Sequence, residues 1–458
     1  MARYDKDALL AYLREGKPIT GLQQLSLTLQ LAVPAILAQF SSVMMQYIDS
    51  AMVGHLGSNQ AAAIGLVSSS SWILYGFAMA ATTGFSVQVA HKCGASDFKG
   101  ARSVMRQGLL SVFLFSTLIA LTGVVISGPL PFWLGGGEDI AADAGTYFWI
   151  FSAFMPISAT GFAASAMLQT SGNMKVPSIL YISMCALDVL FNYVFIYALD
   201  MGVAGAALGT GVAETLTSLF TLWFVFTRSK ELRIVGERGS FLPRRETLSK
   251  ALGITAPLWL QNIIMRGAYV MGTVIVAPLG SISIAANAFA IAAESFCYMP
   301  GYGLQDAATT LVGQSIGARR KDEARHFAWI TIWMAAGMMT LLGILMYIFA
   351  PQMMGVLTDD PQVIELGVRV LRIEAFAEFF YAVSIAAFGV CAGAGDTLVP
   401  SILEFSSMWV IRIGLALVLT PRYGLVGYWI SMMIELNVRG IILLLYVKGG
   451  RSLRKSIA

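Results

Sequence analysis

Charge is what this sequence has least of. Asp, Glu, Lys and Arg make up 12% of its 458 residues, against about 25% in a typical soluble domain. Histidine and cysteine are also scarce, at three and four residues. Cys93, Cys185, Cys297 and Cys391 lie in or beside apolar runs with no CxxC spacing, which argues against a disulfide framework or a thiolate metal site and leaves them as packing residues. His55, His91 and His326 fall near the ends of apolar runs, badly placed for a proton relay. No GxxxxGK[ST] or HExxH segment is present, so neither an ATP-driven pump in one chain nor a zinc hydrolase is supported. With no catalytic cluster, no cofactor and no metal site are expected, and the chain does not read as an enzyme. The formal charge of +4 marks no nucleic-acid surface.

Apolar residues fill the space that charge leaves, at 57% of the chain. Runs longer than about 18 residues recur along its whole length, which predicts an all-α polytopic membrane protein. Twelve transmembrane helices are expected, over residues 24–54, 61–90, 103–128, 143–169, 176–199, 203–227, 249–278, 283–313, 325–350, 362–393, 398–420 and 424–447. The first run is too long for a cleavable signal and lacks a small-residue cleavage site. Residues 1–20 form a polar amphipathic segment in which Leu9, Leu10 and Leu13 share one stripe, the pattern of a short interfacial helix. Residues 228–248 are a basic linker and 448–458 a basic tail.

The positive-inside rule supports the count. Arg3, Lys6, Arg14, Lys17, Lys92, Lys99, Arg102, Arg106, Lys175, the six basic residues of 228–245, Arg319–Lys321 and the basic tail all fall on one side of a twelve-span chain. The opposite loops hold Glu138, Asp139, Asp143, Asp200, Asp359 and Asp360, with Arg422 the main exception. Both termini are therefore expected in the cytoplasm of a multi-pass protein of the cell (inner) membrane, in contact with membrane lipids and working as a monomer.

The two halves of the chain are copies. Pro34 and Pro257, Gly57 and Gly280, Gly94-Ala95 and Gly317-Ala318, and Val176-Pro177-Ser178-Ile179 and Val399-Pro400-Ser401-Ile402 are all 223 positions apart. Six spans per copy is an even number, so both copies insert in the same orientation. The fold expected is two six-helix lobes, 21–227 and 249–447, related by a parallel internal repeat, as in secondary transporters. Substrate would then bind between lobes that rock by alternating access.

The intramembrane polar residues are the candidates for function. A bare aspartate at mid-bilayer costs about 2.5–3.5 kcal/mol on insertion scales, so it usually faces a wet cavity or a partner. Asp49 is such a residue, in the run from Pro34 to Gly57; the second copy has Gly272 in its place. Asp188 and Asn192 are spaced i, i+4 and share a helix face. If that face meets Asp49, two carboxylates and an amide share one low-dielectric pocket, where a carboxyl can be tuned for proton coupling. The blander reading is that these groups cap helices or bond to backbone. Pro34 should kink or weaken the first span and is the candidate hinge. Met45, Tyr47 and neighbouring methionines are candidate linings of an adaptable cavity, although methionine at helical spacing is more often core or lipid-facing. The second half carries Arg266, Glu294, Asp306, Glu374, Glu378, Glu404, Arg412, Glu435 and Arg439. Internal ion pairs are expected there, Glu435 with Arg439 foremost, with Glu294 or Glu378 as the alternative attractor of a cationic substrate. Fixed positive charge in this half would disfavour a second cation site.

Four segments at matching positions carry a resemblance: YIDSAMVGHLG in the first span, GLQDAATTLVGQSIGARRKDEAR after the eighth, AGAGDTLVPS after the tenth and MGVAGAALGTGVAE entering the sixth. Together they resemble the MATE (multidrug and toxic compound extrusion) transporters over nearly the whole chain. The resemblance implies an antiporter that exports small, amphipathic, often cationic compounds. Its first half is similar to the DinF-like branch. Asp49 stands at that branch's helix 1 carboxylate, Asp188 and Asn192 at its Asn-x-x-x-Asp pair in swapped order, and Thr210 at a helix 6 threonine. The carboxylates that the NorM-like branch places in helices 7 and 10 correspond here to Met265 and Tyr381, so that site is not expected. The coupling ion implied is H+, with Na+ at the same carboxylates as the alternative. Tyr381 joins the candidate cavity residues. A lipid-linked oligosaccharide flippase of the wider superfamily is the other class; it would be expected to carry a strongly basic central cavity and often extra helices, neither of which the sequence displays.

Overall fold

A chain in lipid must satisfy its backbone hydrogen bonds internally, and apolar runs of this length do so as helices. The computed structural model describes residues 5–54 and 58–450. His55, Gly57 and the tail beyond residue 450 lie outside the described residues, as does whatever the sequence implied for them. The described residues form helices and no strand. After a short α1 (Lys6–Arg14), the first half consists of α2 (Gly21–Gly54), α3 (Ser58–Gly94), α4 (Phe98–Ile126), the single turn α5 (Leu130–Trp133), α6 (Glu138–Thr170), α7 (Lys175–Asn192) and α8 (Gly202–Thr227). The second half consists of α9 (Arg245–Val276), α10 (Ser281–Gly317), α11 (Lys321–Leu357), α12 (Pro361–Glu374), α13 (Glu378–Gly393), α14 (Leu398–Ser406), α15 (Gly414–Tyr423) and α16 (Leu425–Lys448). Among the described residues, eleven spans are long and apolar enough to cross a membrane, and twelve when α12 and α13 are taken as one bent span. The chain is a multi-pass membrane protein. Its outward side chains agree: Val125, Val356 and Val410 are each more than 70% exposed, which suits lipid and not water.

Three spans depart from straight helices. α7 runs on through a π-helical turn, Tyr193–Ala198, and α14 joins α15 through another, Ser407–Ile413. Such bulges concentrate at functional positions. The tenth span, expected to be continuous over 362–393, is instead broken after Glu374 and bent by 59°. No proline or glycine lies between Ile373 and Tyr381 to announce the break.

The N-terminal segment also differs from expectation. α1 forms, capped by Asp5, whose carboxylate accepts from the Ala8 amide at 3.2 Å. Its leucine stripe, however, is spent inside the protein: Leu9 and Leu13 are 0% and Leu10 2% exposed. A helix with its apolar face buried has none left for the membrane surface. Polar contacts fix it in place. The Arg14 guanidinium donates to Gln314 at the end of α10, at 3.2 Å. Arg320, which precedes α11, donates to the Lys17 carbonyl at 2.7 Å.

Two compact units emerge, and they do not follow the 21–227 and 249–447 lobes at their edges. One comprises residues 1–40 and 260–458, the other 41–259. The repeat-related spans α2 and α9 are each divided a few residues beyond their prolines, Pro34 and Pro257. In the first unit, the α2 backbone at Ala35 and Ile36 lies so close to Gly303 that a Cβ there would stand 2.6 Å from the Ile36 nitrogen. In the second, the early part of α9 packs on α3: the Trp259 indole donates to the Phe77 carbonyl at 2.8 Å, and Gln88 donates to that of Thr247 at 3.1 Å. The basic linker folds back on α4 in this unit, where Arg102 pairs with Glu237 at 2.6 Å.

Candidate functional site

In the 41–259 unit the polar residues of three helices converge. α2 supplies Asp49, α7 supplies Asp188 and Asn192, and α8 supplies Thr210. The i, i+4 spacing places Asp188 and Asn192 on one face, as expected. The Asn192 amide nitrogen donates to Asp49 Oδ1 at 3.0 Å and to Asp188 Oδ2 at 3.2 Å. The two carboxylates lie beside each other, and Thr210 lies beside Asp188. Asp188 and Asn192 are buried at 0% and 2% exposure. Among the described residues, no lysine, arginine or histidine pairs with either aspartate.

Local structure explains the convergence. Asn192 is the last α-helical residue before the π-turn Tyr193–Ala198, so the helix widens next to the bridging amide. Gly209 on α8 makes room for it: a Cβ there would stand 2.0 Å from Asn192 Oδ1 and 2.8 Å from its backbone nitrogen. Two oxygens remain without a hydrogen-bond partner, Asp188 Oδ1 and Asn192 Oδ1. Buried polar atoms are nearly always satisfied, which makes these two oxygens the candidate acceptors of the site.

The sequence reading missed Glu214. It lies on α8 one turn beyond Thr210, near enough to Tyr75, Tyr147, Tyr181 and Asp188 to act on them electrostatically. The signal was available: a carboxylate four residues from Thr210 inside an apolar run, the same spacing that singled out Asp188 and Asn192.

The other candidates are spread over both units. Met45 packs against a small core of Met184, Cys185 and Ala213, and Tyr47 is half-buried; both belong to the 41–259 unit. Pro34, Glu294, Glu378 and Tyr381 belong to the other unit. Pro34 lies within an α2 that stays helical around it. The Tyr381 ring lies 5.7 Å from that of Tyr298. The ion pair expected on α16 is present: Arg439 holds Glu435 with two bonds, at 2.7 and 2.9 Å.

The profile of the MatE family matches this chain twice, over residues 34–194 and 257–418. The chain belongs to the MATE family. The two matched segments are the two copies read from the sequence, starting at Pro34 and Pro257. Curated relatives include a probable multidrug resistance protein NorM of Thermotoga maritima, 27% identical, covering 94% of this chain and 93% of that protein. The multidrug resistance protein MdtK of Yersinia enterocolitica is 24% identical over 92% of this chain and 94% of its own length. Among solved structures, a mutant of the Vibrio cholerae MATE transporter VcmN superposes with a TM-score of 0.86 at 19% identity, covering 97% of this chain and 98% of that one. A MOP superfamily transporter from Pyrococcus furiosus gives 0.87 at 22% identity, covering 96% and 100%. This MATE protein is therefore a two-lobe membrane transporter and not an enzyme.

Proposed function

We propose that this MATE protein exports amphipathic, often cationic small molecules in exchange for protons, and that Asp49 and Asp188 carry the coupling ion. The observation that carries the reading is the Asp49–Asn192–Asp188 bridge with no fixed cation at it. A buried acid, Asp188, and a half-buried one, Asp49, held by one neutral amide are costlier ionised than neutral, so a mobile cation governs their charge, and a proton is the smallest. The relatives named multidrug resistance proteins support the substrate class. The cycle would be alternating access in the inner membrane, with both termini cytoplasmic and Pro34 as the point where α2 bends. The bridge resembles the DinF-like arrangement more than the NorM-like one, whose second-half positions are Met265 and Tyr381 here. Sodium at the same oxygens is the second reading, favoured by the all-oxygen set of Asp49, Asp188, Asn192 and Thr210.

The test is ethidium transport in proteoliposomes under an imposed pH gradient, without sodium. Wild type should be driven by the gradient, and Asp49→Asn and Asp188→Asn should each abolish the effect. If the gradient fails and sodium restores transport, the ion is sodium; if both variants stay driven, the site is wrong.

A further inference from the structure

The 41–259 unit carries a groove where α4 ends and α6 begins, away from the acids of the exchange reading. Its volume is about 580 Å³, within the roughly 300–1,000 Å³ of small-ligand sites. The end of α4, the single turn α5 and the opening turns of α6 line it with Ser127, Gly128, Phe132, Glu138, Thr146 and Trp149. Gly145 lets the two spans approach, since a Cβ there would stand 3.0 Å from the Ser127 carbonyl oxygen. At Gly128 a Cβ would meet nothing within 4 Å, so that residue borders open space.

The rim places the groove at the membrane surface. Phe132, Trp133 and Trp149 are 56%, 68% and 49% exposed, at the ends of two apolar spans. Exposed aromatic rings at span ends sit at the level of the lipid headgroups, so lipid is the molecule most concentrated at this opening.

The polar side chains of the groove accept and do not donate. The Ser127 hydroxyl spends its hydrogen on the Val124 carbonyl at 2.7 Å, and the Thr146 hydroxyl spends its own on that of Ala142 at 2.8 Å. Each oxygen keeps a lone pair for a third group. Glu138 adds an exposed carboxylate, and α4 ends at Ile126, so the negative end of its dipole lies beside Ser127. Every lysine and arginine of residues 41–259 falls in 92–106, at 175 or in 228–250, at the opposite ends of the spans. Anionic lipids are recognised by clustered lysine and arginine, so phosphatidylglycerol meets no complementary charge here. A primary ammonium brings three donors to this lining, whereas the quaternary ammonium of choline brings none. An acid in the first turn also suits the positive end of α6; that accounts for Glu138 but not for the groove, the acceptor hydroxyls or the aromatic rim.

We propose that this groove binds phosphatidylethanolamine, with the headgroup ammonium held by the Glu138 carboxylate and the Ser127 and Thr146 hydroxyl oxygens, and an acyl chain lying along Phe132 and Trp149. The site goes beyond the transport reading and depends on neither the coupling ion nor the exported compound.

The test equilibrates the detergent-purified full chain with an equimolar mixture of phosphatidylethanolamine, phosphatidylcholine and phosphatidylglycerol of matched acyl chains. Native mass spectrometry then counts the lipids retained. Wild type should enrich phosphatidylethanolamine over each of the others by about two- to fivefold, the size of a solvent-screened charge pair. Glu138→Gln should bring it down to the level of phosphatidylcholine. Gly128→Leu, which fills the open space, should lower its retention without touching a polar group. Equal retention of the three lipids by wild type overturns the proposal, and so does an enrichment that survives in Glu138→Gln. If Gly128→Leu does not fold, Thr146→Val keeps the shape and removes one acceptor; it should reduce the enrichment, and an unchanged ratio there counts against the site.

Discussion

Asn192 donates its side-chain amide to Asp49 at 3.0 Å, joining α7 to α2 through the same nitrogen that holds Asp188. One neutral donor thus serves two acids, and its removal affects both. Hydrogen bonds to charged groups contribute roughly 1.5–3 kcal/mol. Asn192→Leu should therefore slow gradient-driven ethidium transport by about tenfold or more. It should also change the pH dependence of the initial rate, because both acids lose their shared donor. Asn192→Gln, which keeps the amide, should recover part of the rate. Rates measured at a series of pH values check this, and an Asn192→Leu profile superimposable on wild type would remove the bridge from the mechanism.

Gly209 makes a sharper prediction, because its neighbour cannot give way. The missing side chain would meet both the side chain and the backbone of Asn192. Overpacking of this kind costs about 1–3 kcal/mol. Gly209→Ala should lower the unfolding temperature of the detergent-purified protein and abolish coupled transport. Gly253 on α9 is the control, since a Cβ there meets nothing within 4 Å. Gly253→Ala should be neutral or stabilising, by at most about 1 kcal/mol. Equal behaviour of the two variants would mean that the close approach of α8 to α7 is unimportant.

Much of this was legible in the sequence, for identifiable reasons. Span number follows from hydropathy and loop charge, which are local. The repeat follows from a constant register of Pro and Gly. The Asp188–Asn192 face follows from helical spacing. What escaped was tertiary. The tenth span breaks between Glu374 and Glu378 without proline or glycine, so no residue type announces it. The leucine stripe of α1 reads identically whether a membrane or a protein groove covers it, and only the Arg14 and Arg320 contacts decide between them. The division of α2 and α9 between units lies beyond their prolines, where the sequence has no composition shift.

The buried face of α1 predicts a loss of stability that an interfacial helix would not show. Leu13 is wholly enclosed, and truncating an enclosed leucine costs about 2–5 kcal/mol. Leu13→Ala, and Arg320→Ala through its lost bond to the Lys17 carbonyl, should both expose the N-terminal segment to protease in detergent. Leu22, 70% exposed, is the matched control, and Leu22→Ala should change little. Digestion rates identical across the three proteins would return α1 to the membrane surface.

Asp97 supplies a prediction for the turn between α3 and α4. It caps α4, accepting from the Gly100 amide at 2.8 Å and from the Lys92 ammonium at 2.9 Å. The Lys92 contact first, and the Gly100 amide second, hold its carboxyl below the usual range. A folded-state pKa below the unfolded value means that the ionised form favours the fold. The contribution is complete above the unfolded value of about 4 and fades as pH falls from there through the lower folded value. An N-cap of this kind contributes about 1 kcal/mol, and at a half-exposed position the Lys92 pair adds little. Asp97→Ala should therefore melt below wild type at neutral pH, with the difference narrowing as the solution is acidified past the unfolded value. Asp97→Asn keeps a capping oxygen without the charge, so it should lose less at neutral pH and show a flatter acid limb. Thermal unfolding of the three proteins over an acid series decides it: a wild-type to Asp97→Ala gap that stays constant with pH would assign the whole effect to helix geometry and none to the charge.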